Sequence, residues 1–140
     1  MRVILDTNLL VSALLVAGGV AARILDAWFD GQFTLLTCDD QLDELRRVTR
    51  HPRIRPRIEP AVAGSLVNDL RHFADLIETL PRVEVSPDPG DNFLLAMAEA
   101  GRADYLVTGD KRGVLSLENH GATRILTARQ FLAIIQPDHG

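Results

Sequence analysis

Two aspartates follow short apolar runs, and their types and positions suggest shared chemistry. Asp6 follows Val3-Ile4-Leu5, and Asp110 closes the polar stretch after Tyr105-Leu106-Val107. Such runs are typical of buried parallel strands, whose carboxyl ends meet at one edge of a sheet. If these two strands are neighbours, two like charges meet in a partly dry site and need a cation or a shared proton. A divalent metal ion is the simpler solution.

Two further acids could join this pair. Asp91 stands at the expected start of a helix, where the helix dipole and unpaired N–H groups favour an anion and fix the direction of its carboxylate. Glu44 lies one residue before Leu45, beside the inward stripe of another helix, and its longer side chain could reach the sheet edge. Each acid taken alone also fits a helix cap, a turn or a surface charge.

Strands and helices that alternate along the chain must position these acids. Short β-branched and apolar runs predict strands at residues 3–5, 33–37, 83–85, 105–107 and 124–126. Asp6, Thr7 and Asn8 are expected to form a polar loop after the first strand. Apolar residues at helical spacing predict helices over residues 20–31, 40–51, 60–77, 91–101 and 128–135. The alternation predicts one α/β domain, residues 1–140, with a parallel sheet covered on both faces.

Composition and charge agree with one compact domain that has a restricted basic surface. The 140 residues are 46% apolar and 24% charged, which excludes disorder and two full domains. The net charge of −4 argues against a protein that coats nucleic acid by bulk positive charge. However, residues 46–57 carry six arginines and no acid, which leaves −10 on the rest of the chain. This strip, with Lys111 and Arg112, could contact phosphate or could be a solvated surface.

Several other kinds of site and location are disfavoured. Cys38 is the single cysteine, so an internal disulfide and a cysteine-rich zinc site are excluded and a reducing compartment, the cytoplasm, is expected. The four histidines lack ligand pairs at helical spacing, and no dinucleotide fingerprint follows the first strand. Residues 9–17 have the length of a signal-peptide core, but Asp6 and Asn8 interrupt its basic flank, so export and a membrane location are not expected.

The four acids in their local contexts resemble those of the PIN-domain ribonucleases, particularly the VapC-like, single-domain toxin components of bacterial and archaeal toxin–antitoxin pairs. The resemblance covers nearly the whole chain. It is carried by Val3-Ile4-Leu5-Asp6-Thr7-Asn8, Leu42-Asp43-Glu44-Leu45, Asp88-Pro89-Gly90-Asp91-Asn92-Phe93-Leu94-Leu95-Ala96 and Asp104-Tyr105-Leu106-Val107-Thr108-Gly109-Asp110. Each short match is weak, and their order and intervals make the signal strong.

The resemblance implies a three-layer α/β/α fold with about five parallel strands in the order 3-2-1-4-5. It also implies that Asp6, Glu44, Asp91 and Asp110 form an acidic pocket for Mg²⁺ or Mn²⁺, hard cations that prefer carboxylate and water oxygens. Asn8 and Thr108 match polar positions that orient those carboxylates.

The activity implied is metal-assisted hydrolysis of RNA phosphodiester bonds. Arg46, Arg47, Arg50, Lys111 and Arg112 would then contact the RNA backbone. The resemblance further implies a cognate antitoxin protein and a homodimer.

Two alternatives belong to other functional classes. A non-catalytic PIN-like module could bind RNA or a protein, although such a module has no reason to keep all four acids. A haloacid-dehalogenase-like phosphatase also has an aspartate after its first strand, but it expects a second aspartate two residues later, where this chain has Asn8.

Overall fold

The computed structural model describes residues 1–109 and 113–137. Its strands are β1 (Arg2–Leu5), β2 (Thr34–Thr37), β3 (Asp75–Leu76), β4 (Tyr105–Val107), β5 (Asn119–His120) and β6 (Thr123–Leu126). Its helices are α1 (Thr7–Leu15), α2 (Val20–Phe29), α3 (Asp39–Thr49), α4 (Pro60–Phe73), α5 (Asn92–Gly101) and α6 (Ala128–Ile135). Short 3₁₀ turns lie at Arg55–Arg57, Pro89–Asp91 and Val114–Leu117.

Within the described residues the strands form one sheet in the order β3-β2-β1-β4-β6-β5. The first five strands in this order run parallel, and β5 pairs with β6 antiparallel. The order of the parallel strands is therefore the expected 3-2-1-4-5, with a sixth, antiparallel strand added at one edge. This order places β1 and β4, which precede Asp6 and Asp110, side by side.

The sheet has an apolar core on each face because its side chains alternate along every strand. One core contains α1, α2, α3, α4 and α6 together with the strand residues Val3, Leu5, Leu35, Val107 and Leu126. The other contains α5 together with the strand residues Ile4, Leu36, Leu106 and Ile125. The three-layer α/β/α arrangement expected from the sequence is confirmed.

The helix expected over residues 60–77 is too long. Helix α4 ends at Phe73, which is 74% exposed, and Asp75 and Leu76 then pair with β2. The Ile77 N–H also donates to the Thr37 carbonyl at 2.8 Å. The open edge of β2 offers backbone groups that must be paired, and this pairing overrides the helical spacing that continues through Ile77.

The strand expected over residues 83–85 is wrong. Strand β3 already occupies the edge of β2, and the segment between β3 and Pro89 contains no regular element. Val85 is 56% exposed, and Arg82 and Glu84 form an exposed ion pair of 2.7 Å. Val83 packs partly against the core that contains α5, whereas Val85 has no buried face, and neither valine has a strand partner.

The polar loop expected after β1 is also wrong, because Asp6 caps a helix instead. Its carboxylate accepts from the Asn8 N–H, and α1 begins at Thr7. Most of the apolar run at residues 9–17 lies in this helix, where Leu10 and Val11 are buried. In the part of the chain that is described, no single helix is long and apolar enough to cross a bilayer; α1 and α2 pass such a test only as a pair, bent by 101°.

Candidate functional site

Asp6 lies where β1 ends against β4, and its carboxylate is held at both oxygens. The Thr108 hydroxyl donates to Oδ2 at 2.7 Å, and the Asn8 N–H donates to Oδ1 at 3.2 Å. Asp6 is 5% exposed and Thr108 is fully buried. Asn8 makes this contact through its backbone N–H, and the residue itself is exposed. These two donors fix the orientation of the Asp6 carboxylate where β1 ends.

Backbone hydrogen bonds hold Asp6 and Thr108 in position for this contact. The Asp6 N–H donates to the Val107 carbonyl at 2.9 Å, and the Thr108 N–H donates to the Leu126 carbonyl at 2.9 Å. Three adjacent strands, β1, β4 and β6, are therefore tied together one residue beyond their last ladder positions. Thr108 is placed by the sheet itself, so the direction of its hydroxyl does not depend on a loop.

Helix α3 is joined to the same edge by Gln41, a residue that the sequence analysis did not single out. Its Nε2 donates to the Leu5 carbonyl at 2.7 Å, and its Oε1 accepts from the Thr37 hydroxyl at 2.8 Å. Gln41 is 1% exposed. The available signal was a polar residue next to the inward stripe of α3, four residues after a threonine that ends a strand.

Glu44 lies one helical turn after Gln41, and residues three apart on a helix are neighbours on its surface. Its side chain is 25% exposed and forms an i,i+3 ion pair of 3.8 Å with Arg47. Because Gln41 fixes this side of α3 to the end of β1, Glu44 lies on the helical surface next to the carboxyl edge of the sheet.

Asp91 is the N-cap of α5, at the end of the 3₁₀ turn Pro89–Asp91, and it is partly buried. The turn is held locally. The Asp88 carboxylate accepts from the Gly90 N–H at 3.0 Å, and the Asn92 amide oxygen accepts from the Ser86 N–H at 2.9 Å. These contacts fix the entry to α5, and with it the position of Asp91.

The described residues alone do not complete a metal centre. Asp110 lies outside residues 1–109 and 113–137, as do Lys111 and Arg112. Within those ranges no three histidine, cysteine, aspartate or glutamate residues form a group that could hold a metal ion, so Asp6, Glu44 and Asp91 do not form one by themselves. The donor chemistry of these acids nevertheless fits a hard dication such as Mg²⁺ or Mn²⁺, which prefers carboxylate oxygens.

Cys38 lies close in sequence to this edge but does not add thiolate chemistry. The residue is buried, and desolvation raises the pKa of its thiol to about 11. A neutral, enclosed thiol is neither a nucleophile nor a ready metal ligand. The sequence-based exclusion of cysteine chemistry therefore agrees with the local environment.

The arginines of α3 differ in their surroundings. Arg46 forms an i,i+3 ion pair of 3.1 Å with Asp43, and Arg47 pairs with Glu44 as described. Arg50, at the end of the helix, is exposed and has no ion-pair partner within the described ranges. All three lie within two turns of Glu44 on one helix.

A family model for the PIN domain matches residues 2–112, and the chain therefore belongs to the PIN domain family. Among solved structures, a chain of the crystal structure of VapBC2 from Rickettsia felis, bound to a DNA fragment from their promoter, is similar. The match has a TM-score of 0.58 at 14% identity and covers 91% of this chain and 98% of that chain. No curated protein matches the sequence. The resemblance to the PIN family inferred from the four motifs is confirmed.

Proposed function

We propose that this chain is a cytoplasmic endoribonuclease, dependent on Mg²⁺ or Mn²⁺, and the toxin of a toxin–antitoxin pair. The observation that carries the proposal is the Asp6 carboxylate, buried at the junction of β1 and β4 and held by the Thr108 hydroxyl. Membership of the PIN family supports a nuclease, and the similarity to a chain of VapBC2 supports an antitoxin partner.

In this proposal Asp6, Glu44, Asp91 and Asp110 hold the metal ion. When bound, the ion supplies an activated water and neutralises charge on the phosphate, so that an RNA phosphodiester is hydrolysed to a 5′-phosphate and a 3′-hydroxyl. Thr108 and the Asn8 N–H keep the Asp6 oxygens in one orientation. Such preorganisation avoids a reorganisation cost during the reaction.

The basic side chains near the acids bind the RNA. Arg46, Arg47 and Arg50, with Lys111 and Arg112, contact the RNA backbone and set its position over the acids. Backbone contacts carry no sequence information, so selectivity among RNAs comes from shape or from single-strandedness. The family resemblance further supports a homodimer.

The test compares cleavage of a single-stranded RNA by the wild-type chain, Asp6→Asn, Asp110→Asn and the double variant, with Mn²⁺ and with a chelator. Loss of a metal ligand should lower the rate by more than about 100-fold, beyond the 10- to 100-fold typical of a residue that orients a ligand. Thr108→Val should fall in that lower range. Asp26→Asn, at an exposed position on α2, is the matched control and should cleave normally.

Retained cleavage in a double variant purified free of host nucleases would refute the assignment. A wild-type chain that neither cleaves RNA nor gains thermal stability from Mn²⁺ would favour the non-catalytic binding module instead, since only a competent pocket is stabilised by the ion.

A further inference from the structure

A cleft between α3 and α4 has an apolar interior and four lining arginines. Its volume is about 420 Å³, which is within the range of small-molecule sites. The buried side chains of Ile58 and Val67 line the cleft, as does Ala63. The lining arginines come from three neighbouring elements: Arg46 and Arg50 from α3 and its C-cap, Arg55 from the 3₁₀ turn that follows, and Arg71 from α4. Apolar and cationic groups around one cleft are the features that bind an amphipathic anion.

Two of these four arginines have no acidic partner. Arg46 and Arg71 form ion pairs of 3.1 and 3.5 Å with aspartates of α3. Arg50 and Arg55 are exposed, and neither has an ion-pair partner in the described portion of the chain. The cleft therefore retains a positive charge although the chain as a whole carries −4.

Gly64 leaves the cleft open at a position where the fold does not require glycine. It lines the cleft from within α4, and glycine is among the least favourable residues inside a helix. A Cβ added there meets no atom within 4 Å, so close packing does not explain the glycine. A residue that weakens its own helix without a packing gain is expected at functional sites. We therefore attribute Gly64 to the open space beside it.

The cleft is separate from the proposed metal ligands. At 3.6 residues per turn, Arg46 and Arg50 lie about 200° and 240° round α3 from Glu44. The cleft thus opens on the other flank of this helix. Arg55 and Arg71 are not among the arginines proposed to contact RNA, so the cleft has cations of its own. A ligand bound here leaves the acidic edge of the sheet free.

The shape and the charge of the cleft indicate the class of its ligand. Arg55 and Ile58 belong to the connection between α3 and α4, so this connection forms one end of the cleft. A cleft that is closed at one end suits a compact molecule better than a chain that passes through. A phosphate monoester carries about two negative charges at about pH 7, which matches the two unpaired arginines, and arginine binds phosphate through two parallel N–H donors. A carboxylate supplies only one charge.

We propose that this cleft binds a small phosphate monoester whose organic part is an apolar ring. The phosphate lies against Arg50 and Arg55, and the ring lies on Ile58 and Val67 beside Gly64. Burial of the apolar ring supplies affinity, and the two guanidinium groups select a dianion. This binding site is additional to the proposed nuclease site and does not depend on RNA cleavage.

Two pairs of variants test the apolar part and the charged part of the cleft separately. Leucine is a good helix former, so Gly64→Leu fills the cleft while all four lining arginines remain. Ser65, the next residue, is exposed and does not line the cleft, so Ser65→Leu is its matched control. Arg55→Gln removes one unpaired charge. Arg57 is exposed in the same 3₁₀ turn and does not line the cleft, so Arg57→Gln is the control for that loss of charge.

The experiment titrates the full chain with naphthyl phosphate and follows NMR chemical shifts, in a phosphate-free buffer that contains a chelator. Wild type should bind this probe with a Kd of about 1 mM or below. Inorganic phosphate lacks the ring and naphthoate lacks the second charge, so each should bind at least about tenfold more weakly.

The variants should differ in the affinity for naphthyl phosphate. Gly64→Leu should weaken binding by at least about tenfold, because the ring loses its place. Arg55→Gln should weaken it by about 10- to 100-fold, as expected for the loss of a hydrogen bond to a charged group. Ser65→Leu and Arg57→Gln should stay within about twofold of wild type, because salt screens charges outside the cleft. Thermal unfolding verifies that each variant is folded, and Gly64→Leu should melt no lower than wild type.

Four results would overturn the proposal. The first is the absence of saturable binding of naphthyl phosphate to wild type, and the second is equal affinity of wild type and Gly64→Leu. The third is an equal effect of Arg55→Gln and Arg57→Gln, or equal affinity for naphthoate, because the cleft would then not select a dianion. The fourth is binding that appears only when Mn²⁺ replaces the chelator, because the probe would then lie at the acids. RNA cleavage is decided by the Asp6 and Asp110 variants alone, so the two proposals stand or fail separately.

Discussion

Replacement of Gln41 by leucine tests the connection between α3 and the end of β1. The side chain is 1% exposed and makes two hydrogen bonds, to the Leu5 carbonyl and from the Thr37 hydroxyl. Leucine has a similar size but removes both bonds and leaves two buried polar groups without this partner. Each such group costs about 1–3 kcal/mol, so the two together cost about 2–6 kcal/mol. The added apolar burial returns about 1 kcal/mol, and the expected loss of unfolding free energy is therefore about 1–5 kcal/mol.

The assay is urea unfolding followed by circular dichroism, with Gln32→Leu as the control because Gln32 is exposed. That control should stay within about 0.5 kcal/mol of wild type. The double variant Gln41→Leu with Thr37→Val removes one of the two unsatisfied groups. It should therefore be about 1–2 kcal/mol more stable than the sum of the single effects predicts. A loss below about 0.5 kcal/mol for Gln41→Leu, or strict additivity in the cycle, would refute this account.

Three further predictions concern other parts of the chain. Mn²⁺ at about 100 times its Kd should stabilise wild type by about 2.7 kcal/mol, which corresponds to a rise in Tm of about 8 °C. The Asp6→Asn variant should lose most of this rise, and the control Asp26→Asn should keep it. Equal rises in Tm for all three proteins would exclude Asp6 as a ligand. The pKa of Cys38 is raised from 9.0 to about 11, so the folded state retains a proton that the unfolded state releases, and stability should fall as pH rises through this window. Urea unfolding at about pH 7 and about pH 10 should show wild type losing about 1 kcal/mol more than Cys38→Ala, and parallel losses would contradict the shift. A Cβ on Gly101 would lie 2.7 Å from Leu36 Cδ1. Gly101→Ala should therefore lower the free energy of unfolding by about 1–3 kcal/mol in the same urea assay. An unchanged urea midpoint would show that the Leu36 side chain moves aside without cost.

The central part of the fold could be predicted because its strands are short apolar runs with polar ends. This pattern located Asp6 at a strand end, and the family resemblance supplied the strand order that places β1 beside β4. The helix cap at Asp6 was missed because an aspartate after a strand fits either a loop or an N-cap. A loop and an N-cap differ only in what the residues after the aspartate pack against.

The edges of the sheet and the polar contacts could not be predicted for a different reason. Strand β3 consists of two residues whose pairing depends on the exposed edge of β2, which apolar periodicity does not encode. Gln41 acts through a carbonyl 36 residues away, a contact that exists only after α3 has packed against the sheet. Asp110 was predicted from its motif, and it remains a proposal because it lies outside the described residues.

The two ends of the sheet have a consequence for how this protein can assemble. In the described residues each outer strand, β3 and β5, is only two residues long. Edge strands this short offer too few free backbone groups to pair with a strand of another chain, which protects against edge-to-edge aggregation. β-augmentation by a binding peptide is disfavoured for the same reason. Stable complexes of this chain are therefore expected to form through helical surfaces and side chains, and not by extension of its sheet.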